Sequence, residues 1–333
     1  MKNFFKVLVF VLIFAVLFSY TQTLLSRKST EGWWNTTAKI DGFYNSLKDE
    51  YDVMFFGSSN TYCSFNPLVI WKETGVKSYV MATQQQPVWA TYHYMVDAFK
   101  TQSPKLVVMD VLMLSKNDEV YDDGVNYTFC DNMPFSKNKV ELVMASAPKG
   151  ERFGLLCNFV KYHSRWSELE QKDFEYKKSE MRDYSKGFCM LTGKYNEKIV
   201  REDVSQVADS VELMEKNRQY LQKIIDLCNQ EGVRLMLVKT PSNATCEEKM
   251  YYNSVQKLAE ENGMEFADYN LLYEEIGIDM DNDFFDATHL NVWGAEKFSE
   301  FFVVNTEFFA GKTLADSEWQ EDYDKYLEVI QEN

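Results

Sequence analysis

Five short apolar runs, each followed by a turn or a helix-like stretch, constrain this chain more than any other feature of it. They are VMFF at 53–56, SYVMA at 78–82, PKLVVMDVLML at 104–114, VRLMLV at 233–238 and MEFAD at 264–268. Apolar runs of this length without in-and-out alternation are the mark of strands buried on both faces, and such strands belong to parallel sheets. Between them, residues 66–74, 89–100, 211–230 and 251–262 read as helices, the third stopped by Gly232. Strand followed by helix, repeated, predicts an α/β fold: a doubly wound parallel sheet with right-handed crossovers. With 45% hydrophobic residues there is ample material for its core.

The chain begins with a different kind of segment. Residues 7–26 carry no charge, and at about 1.5 Å per residue they make a helix of about 30 Å, the thickness of a bilayer core. One membrane-spanning helix within residues 1–28 is the expectation. A cleaved signal peptide is the competing reading, but no small-x-small site follows, and Ser19, Tyr20 and Thr21 are poor substitutes for one. Lys2 and Lys6 on one side are nearly balanced by Arg27 and Lys28 on the other, so charge alone leaves the orientation open. Residues 29–50 read as a linker and a short lead-in helix.

The first strand ends in GSSN, which places Ser58 and Ser59 at the carboxyl edge of the sheet, where ligands of open α/β folds bind. Taken alone, this is equally a turn and helix cap. Far downstream stands FFDATHLNVWGA, residues 284–295. A serine hydroxyl needs a base to take its proton, and the base works best when a third group fixes its orientation. Asp286 and His289, three residues apart in a loop entering a helix, can supply both. Only His93, His163 and His289 exist in the chain.

GSS near the start of the domain and DATHLN near its end resemble the SGNH, or GDSL-like, hydrolase superfamily. On that resemblance the fold is a three-layer α/β/α sandwich over residues 51–310. Ser59 is then the nucleophile, His289 the general base and Asp286 its orienter. Ser58 stands where Asp is usual, and the Gly-x-Asn-Asp block of the family has no clean equivalent: the third strand runs on into MLSKND. Together with the apolar N-terminus, these departures are similar to the cell-envelope branch of the superfamily, which includes teichoic acid D-alanylation and alginate O-acetylation proteins. The resemblance implies a single-pass protein of the cell membrane with its catalytic domain outside the cytoplasm. It further implies an acyl ester or envelope polysaccharide as substrate, no metal or organic cofactor, and a membrane-bound acyltransferase as a candidate partner.

The family draws an oxyanion donor from the turn after the second strand, where this chain has Gln84, Gln85 and Gln86. A backbone N–H or a glutamine amide can serve there. Asn117, after the third strand, and Asn243, after the fourth, are further candidates. Asp110, inside the third strand, reads as a structural charge contact. Residues 118–209 break the strand and helix rhythm and read as a helical cap inserted over the site. Within it His163, Arg165 and Trp166 could reach a sugar or phosphate; the alternative is an amphipathic helix packed by Phe159, Tyr162 and Trp166. Residues 311–333 read as an acidic surface helix.

Charge and cysteine usage narrow the function classes. A net charge of −16 argues against nucleic acid. Cys63, Cys130, Cys157, Cys189, Cys228 and Cys246 lack C-x-x-C spacing, which speaks against zinc and leaves both disulfides and buried thiols open. The sequons at Asn35, Asn126 and Asn243 are short enough to arise by chance. Two functions follow: an envelope serine esterase or O-acyltransferase, and a catalytically silent accessory protein that binds glycan in the same cleft.

Overall fold

Five strands, β1 (Val53–Gly57), β2 (Ser78–Ala82), β3 (Leu106–Asp110), β4 (Arg234–Lys239) and β5 (Glu265–Asp268), form one sheet in the order β2-β1-β3-β4-β5. Every neighbouring pair is parallel, as strands joined by helical crossovers must be. The computed structural model describes residues 2–32, 35–310 and 316–332. Trp33 and Trp34 of the expected linker, and residues 311–315 at the start of the expected C-terminal segment, lie outside the described residues.

Successive side chains of a strand point to opposite faces, and each face has its own core. Met54, Phe56, Val107, Met109, Leu235 and Leu237 pack with α5 (Val88–Ala98), α11 (Glu215–Glu231) and α12 (Cys246–Glu261). Val53, Phe55, Val80, Val108 and Val238 pack with Phe65, Phe298 and Phe302, the last two from α14 (Val292–Val304). The result is a three-layer α/β/α arrangement. The third strand stops sooner than its apolar run suggests. Asp110 accepts the Leu112 N–H at 2.9 Å and turns the chain into a 3-10 helix, Leu112–Ser115.

Helix α1 (Lys2–Leu25) is apolar along its length, and from Asn3 to Leu25 it is long enough to cross a membrane. The expected lead-in helix is α2 (Thr36–Tyr44), whose Phe43 packs on Tyr79 of β2. After β1 come α3 (Ser59–Ser64) and α4 (Pro67–Thr74), the latter capped by the Asn66 side chain and stopped by Gly75 in the left-handed region.

Residues 118–209 divide into two parts. The first holds α6 (Asp123–Cys130), α7 (Lys137–Ser146), α8 (Arg152–Leu156), α9 (Asn158–Tyr162) and α10 (Gln171–Glu175). Here α7 packs on α5, while α9 and α10 pack on the end of α1. The second is an extended strap: Lys186 accepts the Val80 N–H at 2.9 Å beside β2, and Cys189 donates to the Tyr62 carbonyl at 2.8 Å. Edge strand β2 is thereby covered.

A short helix, α13 (Tyr273–Ile276), follows β5, and α15 (Ser317–Gln331) ends the chain. The expected surface helix is more deeply built in than its charge suggests. Trp319 packs on Trp71 of α4, and the buried Asp322 pairs with Arg182 at 2.6 Å and Lys186 at 2.9 Å. The six cysteines form no disulfide, and four of them are buried.

Candidate active site

The chain passes from β1 out to β2 and then back to β3 on the other side of β1, so the strand order reverses between β1 and β3, the switch point at whose carboxyl end open α/β sheets place their ligand crevice. Gly57 ends the strand at φ +153°. A Cβ there would meet Thr61 Oγ1 at 2.0 Å and Asp110 Cβ at 3.0 Å, so only glycine lets the chain turn this tightly into α3. Ser58, extended and buried, occupies the N-cap position of α3 without a side-chain capping bond, and Ser59 is the first residue of the helix, half-buried.

The second half of the site is a small closed loop. An isolated antiparallel bridge joins Phe284 to Leu290, Phe285 N–H donates to the His289 carbonyl at 2.9 Å, and Asn291 N–H to the Asp283 carbonyl at 2.9 Å. Asn291 then caps α14, accepting from Trp293 and Gly294, while its amide holds Asn282 and Gly193. A side chain at Gly294 would strike the Asp283 carbonyl at 2.4 Å, so the helix can press against the loop base only with glycine there. The strap supports the loop from below: Val292 donates to the Leu191 carbonyl and Tyr195 to the Phe284 carbonyl, each at 2.9 Å.

The two halves meet. Ser59 Oγ is 2.8 Å from His289 Nε2, and His289 Nδ1 is 2.8 Å from Asp286 Oδ2. The other carboxylate oxygen of Asp286 accepts the N–H groups of Thr288 at 2.8 Å and His289 at 2.9 Å, so one side chain both shapes the loop and orients the ring. Partial burial pushes the Asp286 carboxyl up. The hydrogen bond and charge of His289, with the two backbone donors, outweigh it and hold the group well below the usual carboxylate range. A permanently ionised carboxylate behind an imidazole, with a hydroxyl in front of it, can take and return a proton.

Tyr62 was not signalled by any sequence motif. One turn along α3 from Ser59, its phenol is buried, and burial pushes it well above its ordinary value, so it stays protonated. The strap residues Leu191, Gly193 and Tyr195 were equally invisible, because they contribute backbone groups rather than side-chain chemistry.

The remaining expected site residues go elsewhere. Gln86 is buried and turned inward, its amide bonded to Thr83, Thr91 and the Met81 carbonyl, which removes it as a side-chain oxyanion donor. Gln85 is exposed at the tip of the same turn, with φ +49°. Asn117 donates to the Tyr251 hydroxyl at 2.8 Å, held there by the 3-10 turn after β3. Asn243 lies half-buried in the loop after β4, whose neighbour Ser242 is tied to Asn270 and Tyr273.

The histidine, arginine and tryptophan of the insertion do not line this crevice. Arg165 donates to the Leu25 and Ser26 carbonyls at 2.8 Å each and to Asp173, so its guanidinium is committed to the end of α1. His163 bonds to the Val160 carbonyl and packs on Phe159, and Trp166 projects outward. Asp110 accepts the Thr240 N–H and hydroxyl at 2.8 Å each, a structural tie between β3 and β4.

Comparisons with known proteins add little to this geometry. A protein-family model matches residues 163–309, under half of the chain, a span that includes Asp286 and His289 but not Ser59. No curated protein matches the sequence. Among solved structures, a Bacteroides fragilis protein provisionally named an acylhydrolase is similar at 11% identity and TM-score 0.38, over 86% of this chain and 95% of its own. A gut microbial diltiazem-metabolizing enzyme is similar at 16% identity and TM-score 0.30, over 80% of this chain. The chain spans about half the length of the latter, with 49% covered. Both likenesses are loose, and the chemistry of the site rests on its own residues.

Proposed function

We propose that the chain is a membrane-anchored serine esterase or O-acyltransferase of the SGNH type, acting outside the cytoplasm on acyl esters of an envelope glycan. The observation that carries this reading is the continuous hydrogen-bonded line from Ser59 through His289 to Asp286, assembled from residues 230 positions apart. Ser59 Oγ attacks the ester carbonyl while His289 Nε2 takes the hydroxyl proton, and Asp286 stabilises the imidazolium that forms. The tetrahedral intermediate collapses to an acyl-serine as His289 returns the proton to the departing alkoxide. Water, or a sugar hydroxyl, then repeats the sequence in reverse: it gives its proton to His289, attacks the acyl carbon and releases Ser59.

The oxyanion is assigned to backbone N–H groups, that of Ser59 first, joined by the turn at Gln84 and Gln85. Supporting this, the side chains of Gln86 and Asn117 are bonded elsewhere; Gln85 and Asn243 stand as the side-chain alternatives. The same observation favours a second reading, a silent accessory protein that binds glycan in this crevice. A short panel of p-nitrophenyl esters and acetylated glycans separates the two. Ester cleavage that disappears in Ser59→Ala supports the enzyme, and intact esters with retained glycan binding support the accessory protein. A membrane-bound acyltransferase, acting as donor or partner, would move the reading from hydrolysis to transfer.

A further inference from the structure

We infer that residues 153–166 are seated in the bilayer interface, so that the domain rests on the membrane rather than hanging from a tether. The inference rests on reading α1 as a membrane span. It starts from where this stretch touches α1. Phe159 packs on Phe18 with ring centroids 5.5 Å apart, Cys157 Sγ points to Gln22 Oε1 at 3.7 Å, and the Asn158 amide donates to Ser26 Oγ at 3.1 Å. These contacts descend the helix. At about 1.5 Å per residue, Phe18 lies about 12 Å below Ser26, the last uncharged residue before Arg27.

That depth leaves no room for withdrawal. The uncharged run 7–26 is only just long enough to cross a bilayer of about 30 Å. Lifting Phe18 into water would leave about half of the required span. Phe159 therefore sits below the headgroups, among the acyl chains of the nearer leaflet. Its neighbours are suited to that place: Phe153 is 67%, Val160 41% and Trp166 72% exposed. Scattered on a protein in water such side chains are unremarkable, but on the stretch that flanks Phe159 they suit an interfacial anchor, with Trp166, next to the Arg165 that bonds the end of α1, at the headgroup level.

The joint is also closely bonded. Lys28 donates to the Leu24 and Ser26 carbonyls at 3.0 Å each, and Arg165 to those of Leu25 and Ser26, so the last carbonyls of α1 are satisfied by protein. Asp173 binds both cations, at 3.2 and 3.1 Å, with its side chain almost fully buried.

The test uses the full chain in proteoliposomes, in a Cys157→Ser, Cys246→Ser background, with an environment-sensitive fluorophore on single cysteines. Phe153→Cys, Val160→Cys and Trp166→Cys are the probes; Val200→Cys and Val304→Cys, at 76% and 82% exposure, are the controls. A lipid carrying a shallow acyl-chain nitroxide is expected to quench the three probes several-fold more than the controls. Equal quenching at all five positions overturns the inference. Leu12→Cys, read with a bilayer-centre nitroxide, separates the two levels: if it is quenched while the three probes are not, only the interfacial seat is wrong. If it is not quenched, the membrane span falls and the seat with it.

Discussion

At the scale of single residues, the site depends on one proton path and one turn. Asp286→Asn keeps the shape of the carboxylate but removes its charge, and activity should fall about 10²- to 10⁴-fold. The Asp286 carboxyl is held below the usual carboxylate range, so its charge stands behind the imidazole through neutral and mildly acidic pH. By linkage, the stabilising share of Asp286 is complete above the ordinary carboxylate range and is lost only in stronger acid. Gly57→Ala is the second test at this scale. The new Cβ would collide with Thr61 Oγ1, displacing the start of α3, so turnover should drop about 100-fold for a displacement near 1 Å. Adding Thr61→Ala removes one of the two clashing neighbours, and steady-state kinetics should show partial recovery in the double variant.

At the scale of elements, the sheet was readable in the sequence and its supports were not. The runs around Val53, Val80, Val107 and Leu237 are continuous because both faces of each strand are covered, and that is a local signal. The end of β3 was misjudged because an apolar run does not reveal where a side chain such as Asp110 will bond its own backbone. Within the site, the spacing of Asp286 and His289 is local too, and so is the glycine after β1. The strap from Lys186 to Tyr195 acts through carbonyls and N–H groups, which any sequence possesses, so nothing in its residue types announced it. Asp110 gives the test at this scale. It is fully buried, 3.8 Å from the equally buried Lys239, and it satisfies both Thr240 donors. Asp110→Ala strands those groups and should cost about 3 kcal/mol, read as a lowered urea midpoint.

At the scale of the whole molecule, three distant parts of the chain hold the fold around the site: α1 through the insertion, the strap across β2, and α15. Composition marked α15 as a solvated acidic helix, yet its acidic Asp322 is a buried anchor for Arg182 and Lys186, and Trp319 lies against Trp71. Charge counts cannot tell a surface carboxylate from one that meets its partners only after folding. Asp322→Ala should therefore lower stability by about 3 kcal/mol in thermal melts while leaving turnover at permissive temperature unchanged, because it touches nothing in the crevice. The central claim, that Ser59 is an activated nucleophile, is tested most directly by labelling the folded protein at neutral pH with a fluorophosphonate and locating the adduct by peptide mass spectrometry. The account predicts a single adduct on Ser59, lost in Ser59→Ala and strongly slowed in His289→Ala. Folded protein that takes no label, or labels equally well without His289, would contradict it.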